Sequence, residues 1–374
     1  MTTSLFPILP RMAGTALTAC LAGLSVPAGA SECVSIDDDA LRLRCYDRQF
    51  RPAPNAASTP PTTSNTPAAS NAAAAVAPTA PPQEQRGTDR ETLLAMRSEL
   101  QANKGRSLVE SWDLDPAHAR GTFEIKAYKP MHLLVGTHTD HVNRQPASGQ
   151  DDNSVGAPLS VKPTEVQFQI SFKSKVWDGL FDDRANLWFG YTQSSRWQVY
   201  NRKVSRPFRE TNYEPEVILA FRTPYGIGDW RGQLTSISVN HQSNGRGRPL
   251  SRSWNRVILQ TGLETDDATL LIRPWWRLPE SDQDDDNPHI EDYIGRAELI
   301  YARRFGGHVV SLQGRHSLRG GDKSRGSVRV DWSIPMSGFL KAHLSLFSGY
   351  GESLIDYNHR QTMIGAGISL VEWR

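Results

Sequence analysis

The sequence beyond residue 165 is a series of segments in which apolar and polar residues alternate. In "VQFQISFKSKVW", Val166, Phe168 and Ile170 fall on one face and the intervening polar residues on the other. Successive side chains of a β-strand point to opposite faces, so a period of two predicts strands and an all-β fold. Nine further segments have this character: "NLWFGYTQSSRWQVY", "EVILAF", "TSISVN", "NRVILQTGL", "RAELIYARRF", "HVVSLQGRHSL", "SVRVDWSI", "KAHLSLFSGYG" and "TMIGAGISLVEW".

Two architectures accommodate such strands in series. A soluble β-sandwich alternates in this way, and so does a transmembrane antiparallel β-barrel, whose strands of about ten residues are apolar outside and polar inside. The strands here are long, and their polar faces carry cations, as at Lys173, Arg296 and Arg329. A hydrated barrel lumen accommodates such charges more readily than a sandwich core. The pattern therefore favours the barrel.

The N-terminus is typical of an exported protein. Residues 1–30 contain Arg11, an apolar stretch and a final Ala-Gly-Ala, which together predict a secretory signal peptide. Cys20 leaves open a lipoprotein anchor instead. No later apolar run reaches about 18 residues, so no transmembrane helix is expected. An exported chain of this kind is either soluble or a β-barrel.

An N-terminal extension separates this signal from the predicted barrel. Residues 31–51 hold Cys33 and Cys45, which could pair in an oxidising compartment or remain free thiols. Residues 52–105 comprise a Pro/Ala-rich linker and a possible short helix, and we expect this extension to be disordered. The barrel domain is then 106–374. A formal net charge of +2 gives no reason to expect nucleic acid as a partner.

A polar group interrupts the apolar faces of two adjacent predicted strands. Ile237, Val239, His241 and Ser243 share one face because they are two residues apart. On the following strand, Asn255 continues an apolar face in the same way. A short loop makes the two strands a hairpin, which can bring the three polar side chains together on the outside of the barrel.

Such a group has the components of a serine hydrolase. Ser243 would be the nucleophile, His241 the general base, and Asn255 the residue that orients the imidazole. A histidine and a serine two apart in a strand are nevertheless a weak signal, because an interfacial histidine beside a serine-rich turn has the same pattern. The alternative is a non-catalytic barrel, either a narrow pore or a structural protein. Polar side chains facing lipid are costly without a role, which favours catalysis.

The stretch "NHQSNGRGRPLSRSWNR" resembles the active-site hairpin of the outer-membrane phospholipase A family. "YTQSSRWQVYN", "PFRETNYEP", "DDDNP" and "FSGYGESLIDYN" are also similar to that family, in its order, and the resemblance runs from about residue 110 to the C-terminus. It implies a twelve-stranded antiparallel barrel in the Gram-negative outer membrane. It also implies a calcium-dependent homodimer that hydrolyses acyl esters of glycerophospholipids, with A1, A2 and lysophospholipase activity.

The resemblance assigns roles to individual residues. It implies that Ser243, His241 and Asn255 form the catalytic group, and that the backbone amide of Gly245 stabilises the oxyanion together with calcium-bound water. It gives the calcium ligands as the Arg246 carbonyl and the Ser251 side chain of one subunit with the Ser205 carbonyl of the other. A further calcium-linked position is Asp286.

Two features depart from or add to this pattern. Arg248 stands where the family has an aspartate that partners Asp286, so its positive charge would oppose a second calcium ion.

Gln193 shares a face with Phe189 and Tyr191, and a lone amide on such a stripe is best explained by a hydrogen bond across a protein–protein contact. The resemblance places it at the dimer interface. The acidic run 279–288 is expected to be a solvated loop.

Overall fold

The computed structural model describes residues 107–115, 119–150, 152–336 and 340–373. The predicted signal peptide, the segment with Cys33 and Cys45, and the predicted linker lie outside the described residues. Their boundaries and the cysteine pairing therefore stay predictions. Within the described residues, no helix is both long enough and apolar enough to cross a bilayer.

The strands form one antiparallel sheet that closes on itself. Each barrel strand pairs with its neighbours in the chain, and β2 pairs with both β3 and β13. The short β1 pairs with β3 alongside β2. The twelve-stranded transmembrane barrel is thus confirmed. The strands are β1 Ile125–Ala127, β2 Met131–Thr139, β3 Thr164–Gly179, β4 Ala185–Trp197, β5 Phe208–Ile227, β6 Trp230–Ser243, β7 Ser253–Glu264, β8 Ala268–Arg277, β9 Ala297–Phe305, β10 His308–His316, β11 Gly326–Pro335, β12 Lys341–Tyr350 and β13 Arg360–Val371.

Helical structure in the described residues is short. One α-helical turn, α1, spans Leu108–Ser111 and begins at a capping box in which Ser107 and Glu110 bond reciprocally. A turn over Leu180–Asp183 has left-handed residues inside it. The 3₁₀ helices span Arg202–Val204, Ile290–Asp292 and Gly321–Lys323.

The two faces of the strands differ as the alternation predicts. On β6, Ile237 and Val239 are 46% and 55% exposed, whereas Ser238 and Asn240 between and beyond them are buried. Lys173 on β3 is also buried inside the barrel. Apolar residues therefore face the lipid, and polar residues face the lumen.

The lumen is filled rather than open. Oppositely charged side chains pair across it, with the Arg196 guanidinium 2.9 Å from the Glu352 carboxylate. Glu352 belongs to the 351–359 loop, which folds into the barrel and buries Leu354 and Tyr357. A lumen occupied in this way disfavours the narrow pore considered above.

Segment 107–115 fills the other end of the lumen. Leu108, Trp112 and Leu114 pack in one apolar cluster with inward-facing barrel residues, among them Trp188 and Leu271. The inner face is apolar there, so β8 does not alternate cleanly and is not among the segments predicted from alternation. β2 was also missed, and it too places a fully buried leucine, Leu134, against the interior.

Loop lengths distinguish the two ends of the barrel. Transmembrane barrels carry short turns at the periplasmic end and longer loops outside. The connections that are short here are 180–184, 228–229, 265–267 and 306–307. The long ones, which include the hairpin loop after β6, are 140–163, 198–207, 244–252, 278–296, 317–325 and 351–359. The predicted catalytic hairpin therefore lies at the extracellular end.

Candidate active site

The β6–β7 hairpin brings His241 and Asn255 together. The two residues lie directly opposite each other in the strand register, with both side chains on the outer face. His241 Nδ1 is 2.8 Å from Asn255 Oδ1. An amide oxygen only accepts hydrogen bonds, so this contact assigns the proton to Nδ1 and leaves Nε2 with a free lone pair. Asn255 thus holds the ring in the tautomer that a general base requires.

Ser243 is the last residue of β6 and is partly exposed on the same outer face as His241. Its strand neighbours are Tyr213 on β5 and Ser253 on β7. Within the described residues, its hydroxyl makes no hydrogen bond. Residues two apart in a strand lie about 6.6 Å apart at their Cα atoms, within reach of an imidazole between them. Catalytic hydrogen bonds often form fully only with substrate bound.

Gly245 occupies a position that requires glycine. Its φ is +63°, and a Cβ there would lie 3.1 Å from the ring of Tyr213. The buried side chain of Asn244 shapes this turn, because its Oδ1 accepts hydrogen bonds from the amides of Arg246 and Arg252. In the described part of the chain, the Gly245 amide itself donates no hydrogen bond. It is therefore available to a developing oxyanion.

Ser251 and Asp286 come together from two loops. The Ser251 hydroxyl donates to the Asp286 carboxylate, and Asn153 Nδ2 donates to the same carboxylate at 3.0 Å. Arg248 Nε lies 3.8 Å from Asp286 Oδ1, and its Nη2 donates to the Gln283 carbonyl. Hydroxyl, carboxylate and carbonyl oxygens are the donors that calcium takes. The donor set therefore fits calcium at Ser251, whereas the guanidinium does not fit a second ion beside Asp286.

The other two predicted calcium ligands, Arg246 and Ser205, form no hydrogen bond with Ser251 in the described residues. Arg246 lies in the same loop as Ser251, and its carbonyl accepts no hydrogen bond from a described residue. Ser205 lies on the β4–β5 loop in left-handed backbone, and it forms no hydrogen bond with Arg246 or Ser251 in the residues described. Across the described ranges, no three His, Cys, Asp or Glu side chains cluster so as to hold a metal ion.

Gln193 lies in the same row of outward-facing residues as Ser243. It pairs with Tyr213 across β4 and β5, and Tyr213 pairs with Ser243 across β5 and β6. Its Oε1 accepts a hydrogen bond of 3.1 Å from the Tyr191 hydroxyl. The amide therefore lies two strands from Ser243 on the outer face.

The acidic loop after β8 is solvated only in part, because residues 281–284 are exposed whereas the acidic residues on either side of them are not. The side chains of Glu280, Asp285 and Asp286 are 16%, 16% and 15% exposed. Glu280 Oε1 accepts a hydrogen bond of 2.9 Å from Asn255 Nδ2. The sequence offers no signal for this contact, because it depends on how the loop folds back onto β7.

The family model for phospholipase A1 matches residues 108–370. The chain belongs to the phospholipase A1 family. A putative phospholipase A1 of Neisseria meningitidis serogroup B is 34% identical over 361 residues, covering 91% of this chain and 90% of the relative. The phospholipase A1 of Escherichia coli K12 is 35% identical over 248 residues, covering 66% and 82%.

Two solved structures share the fold. The outer membrane phospholipase A of Escherichia coli matches with a TM-score of 0.60 and 33% identity, covering 66% of this chain and 94% of that one. A Salmonella typhi outer membrane phospholipase, solved as a dimer with bound calcium, matches with a TM-score of 0.60 and 34% identity, covering 67% and 93%. The present chain is therefore an outer-membrane β-barrel phospholipase, and the non-catalytic alternative is set aside.

Proposed function

We propose that this phospholipase hydrolyses the acyl esters of glycerophospholipids at either position, and those of lysophospholipids, by a Ser243–His241–Asn255 mechanism. The observation that carries the proposal is the hydrogen bond between His241 and Asn255 on the outer face, beside Ser243. A polar group in that place is costly unless it has a role. Its position also matches the substrate, which would arrive laterally through the outer leaflet.

The chemistry follows from the free Nε2 of His241. Ser243 Oγ attacks the ester carbonyl and loses its proton to Nε2, while Asn255 Oδ1 holds the N–H on the other side of the ring. The tetrahedral intermediate collapses to an acyl ester on Ser243: the carbon–oxygen bond to glycerol breaks, and His241 gives its proton to the leaving glycerol oxygen. Water, deprotonated by the same nitrogen, then attacks this ester, and the fatty acid leaves as His241 returns the proton to Ser243 Oγ.

The oxyanion needs positive partners that Asn255 cannot supply, because its amide is neutral. The Gly245 amide provides one donor. Calcium bound by the Arg246 carbonyl, the Ser251 hydroxyl and a Ser205 carbonyl would supply positive charge that stabilises the developing oxyanion. Asp286 would contribute negative charge beside Ser251.

The active form is proposed to be a homodimer. Ser205 forms no hydrogen bond with Ser251 in the described residues, and we propose that its carbonyl is supplied by a second subunit. Gln193, level with Ser243, would bond across the contact between two barrels, where an interfacial amide is stabilising. The Salmonella typhi relative was solved as a dimer with bound calcium, which supports both the homodimer and the calcium requirement proposed for this chain.

The test is hydrolysis of a defined phospholipid by the refolded protein in detergent. Fatty-acid release is expected with calcium and not with a chelator, and crosslinking under the same conditions is expected to trap a dimer only with calcium. Ser243→Ala should abolish release. Ser253→Ala is the matched control, because Ser253 pairs with Ser243 across the hairpin and should be dispensable.

Full activity in Ser243→Ala would refute the mechanism. Full activity with a chelator would refute the calcium requirement alone. Labelling with a serine-directed sulfonyl fluoride adds a second readout, since the wild type should gain one adduct on Ser243 and the Ser243→Ala protein none.

A further inference from the structure

The carboxamide of Asn255 is held at both ends. Its oxygen faces His241 Nδ1 at 2.8 Å, and its nitrogen donates to Glu280 Oε1 at 2.9 Å. An ionised carboxylate only accepts hydrogen bonds, so Glu280 requires the NH₂ end of the amide to face it. The oxygen is then directed at the ring. A flipped amide would set an NH₂ group against the ring N–H and an oxygen against the carboxylate.

Glu280 is itself fixed in place. The loop that carries it is tied to Asn255 by a backbone hydrogen bond of 2.8 Å from Leu278 to the Asn255 carbonyl. The second carboxylate oxygen of Glu280 lies 3.4 Å from Nη2 of Arg277, which is the last residue of β8. Arg277 is held in turn by Asp285 and Glu291, at 2.6 and 3.4 Å. A carboxylate on such a support can orient a neighbour, because its own rotamer is restrained.

Opposing influences act on the Glu280 carboxyl. Burial raises the pKa of the Glu280 carboxyl above its ordinary value, and the Arg277 guanidinium acts in the opposite direction, as does the hydrogen bond from Asn255. Asp285 is the other charged group that faces it. A hydrogen bond given to an anion polarises the amide, which makes Asn255 Oδ1 a stronger acceptor for the ring N–H.

We infer that Glu280 is a positioning residue of this phospholipase, which orients the Asn255 amide and supplies through it the negative charge that an aspartate would provide directly. The inference rests on the proposed roles of Ser243, His241 and Asn255. On this inference, the neutral amide of Asn255 transmits the effect of the Glu280 carboxylate to the His241 ring. Glu280 touches no reacting atom, so its effect is expected in the pH profile and in kcat.

The experiment compares Glu280→Gln with Glu291→Gln in the refolded calcium-loaded protein. Both carboxylates contact Arg277, but only Glu280 contacts Asn255. Glu280→Gln should lower kcat about fivefold with KM within about twofold. The acid limb of its pH–rate profile, which reports protonation of the general base, should move to lower pH by about 0.3 to 0.5 unit. Glu291→Gln should resemble the wild type, and Glu280→Asp should restore part of the loss.

A double substitution makes the inference falsifiable even if Glu280→Gln folds poorly. Asn255→Asp alone would set two carboxylates against each other, whereas Asn255→Asp combined with Glu280→Gln removes the repulsion. The double variant should therefore be more active than Asn255→Asp alone, a reversal of sign that a purely structural role does not produce. Folding is checked by the heat-dependent mobility of the barrel on gels.

The outcomes separate this inference from the proposed function. A wild-type kcat and pH profile in Glu280→Gln, with Ser243→Ala inactive, would overturn the role of Glu280 and leave the mechanism standing. An active Ser243→Ala would overturn the mechanism itself. A double variant no more active than Asn255→Asp would also refute the positioning role.

Discussion

The inner and outer faces of the β6–β7 hairpin use polar residues in different ways. On the inner face, Asn240 is fully buried and bonds to both Glu214 and Arg256, at 3.0 and 2.7 Å. On the outer face, His241 is exposed and bonds only to Asn255 among the described residues. Adjacent residues of one strand thus belong to a buried polar network on one side and to the proposed catalytic group on the other. A satisfied network resists change, whereas a free lone pair and a free hydroxyl can react.

The largest effect is expected from the outer face. His241→Ala removes the proposed general base and should lower kcat by about a thousandfold or more, because Ser243 then has no group to take its proton. Its unfolding midpoint in urea should match the wild type, because the ring has one partner and faces outward. Fatty-acid release measured beside a urea titration checks both statements. His138→Ala, which removes another exposed histidine, is the control and should keep full activity.

The next largest effect is expected from a substitution on the inner face, and it should appear only in the free energy of unfolding. Arg256 neighbours Asn255 on β7 but points inward, where it lies 3.1 Å from Glu214 and over the ring of Trp254. Arg256→Ala leaves Glu214 with one cation fewer, so the free energy of unfolding should fall by about 3 kcal/mol. Urea unfolding in lipid vesicles measures this loss.

Asn255→Ala is the matched comparison on the same strand. It should leave the unfolding midpoint nearly unchanged and lower kcat about tenfold, the equivalent of one hydrogen bond. If Arg256→Ala proved inactive but stable, or Asn255→Ala active but unstable, the division of labour between the two faces would be wrong.

The smallest effect concerns the cation site. Arg248 places a positive charge 3.8 Å from Asp286, so Arg248→Gln should lower the calcium concentration needed for half-maximal activity by about threefold. The difference should shrink at high salt, because exposed charges are screened. Arg303→Gln, which removes an exposed arginine paired with Asp267 at the other end of the barrel, serves as the control. An unchanged calcium titration would show that Arg248 does not act on the cation.

Part of the site follows from the sequence because strand geometry is local. A period of two sets the face of every residue in a strand, so the outward direction of His241, Ser243 and Asn255 could be predicted before any coordinates. The short loop between β6 and β7 predicted their approach, because it makes the two strands a hairpin. The resemblance to a family supplied the roles, which stay proposals for this chain.

The two missed barrel strands differ in cause. β2 has an irregular register between Leu134 and Thr137, which breaks the period of two. β8 does not alternate cleanly, because part of its inner face meets apolar residues instead of water, as where Leu271 packs with Trp112. Such a contact joins residues far apart in the chain. The 107–115 segment was expected only as the start of the barrel domain, and its place inside the lumen could not be read from its own residues.

The sequence by itself determined most of the strands, their faces and the outward position of His241, Ser243 and Asn255, since these depend on the backbone period and on neighbours two residues away. Only the tertiary structure decided what surrounds that group. Glu280 reaches Asn255, and Arg248 reaches Asp286, because the 278–296 loop folds onto the end of the β6–β7 hairpin. Side chains from separate loops meet only when the closed barrel fixes where each loop begins and ends.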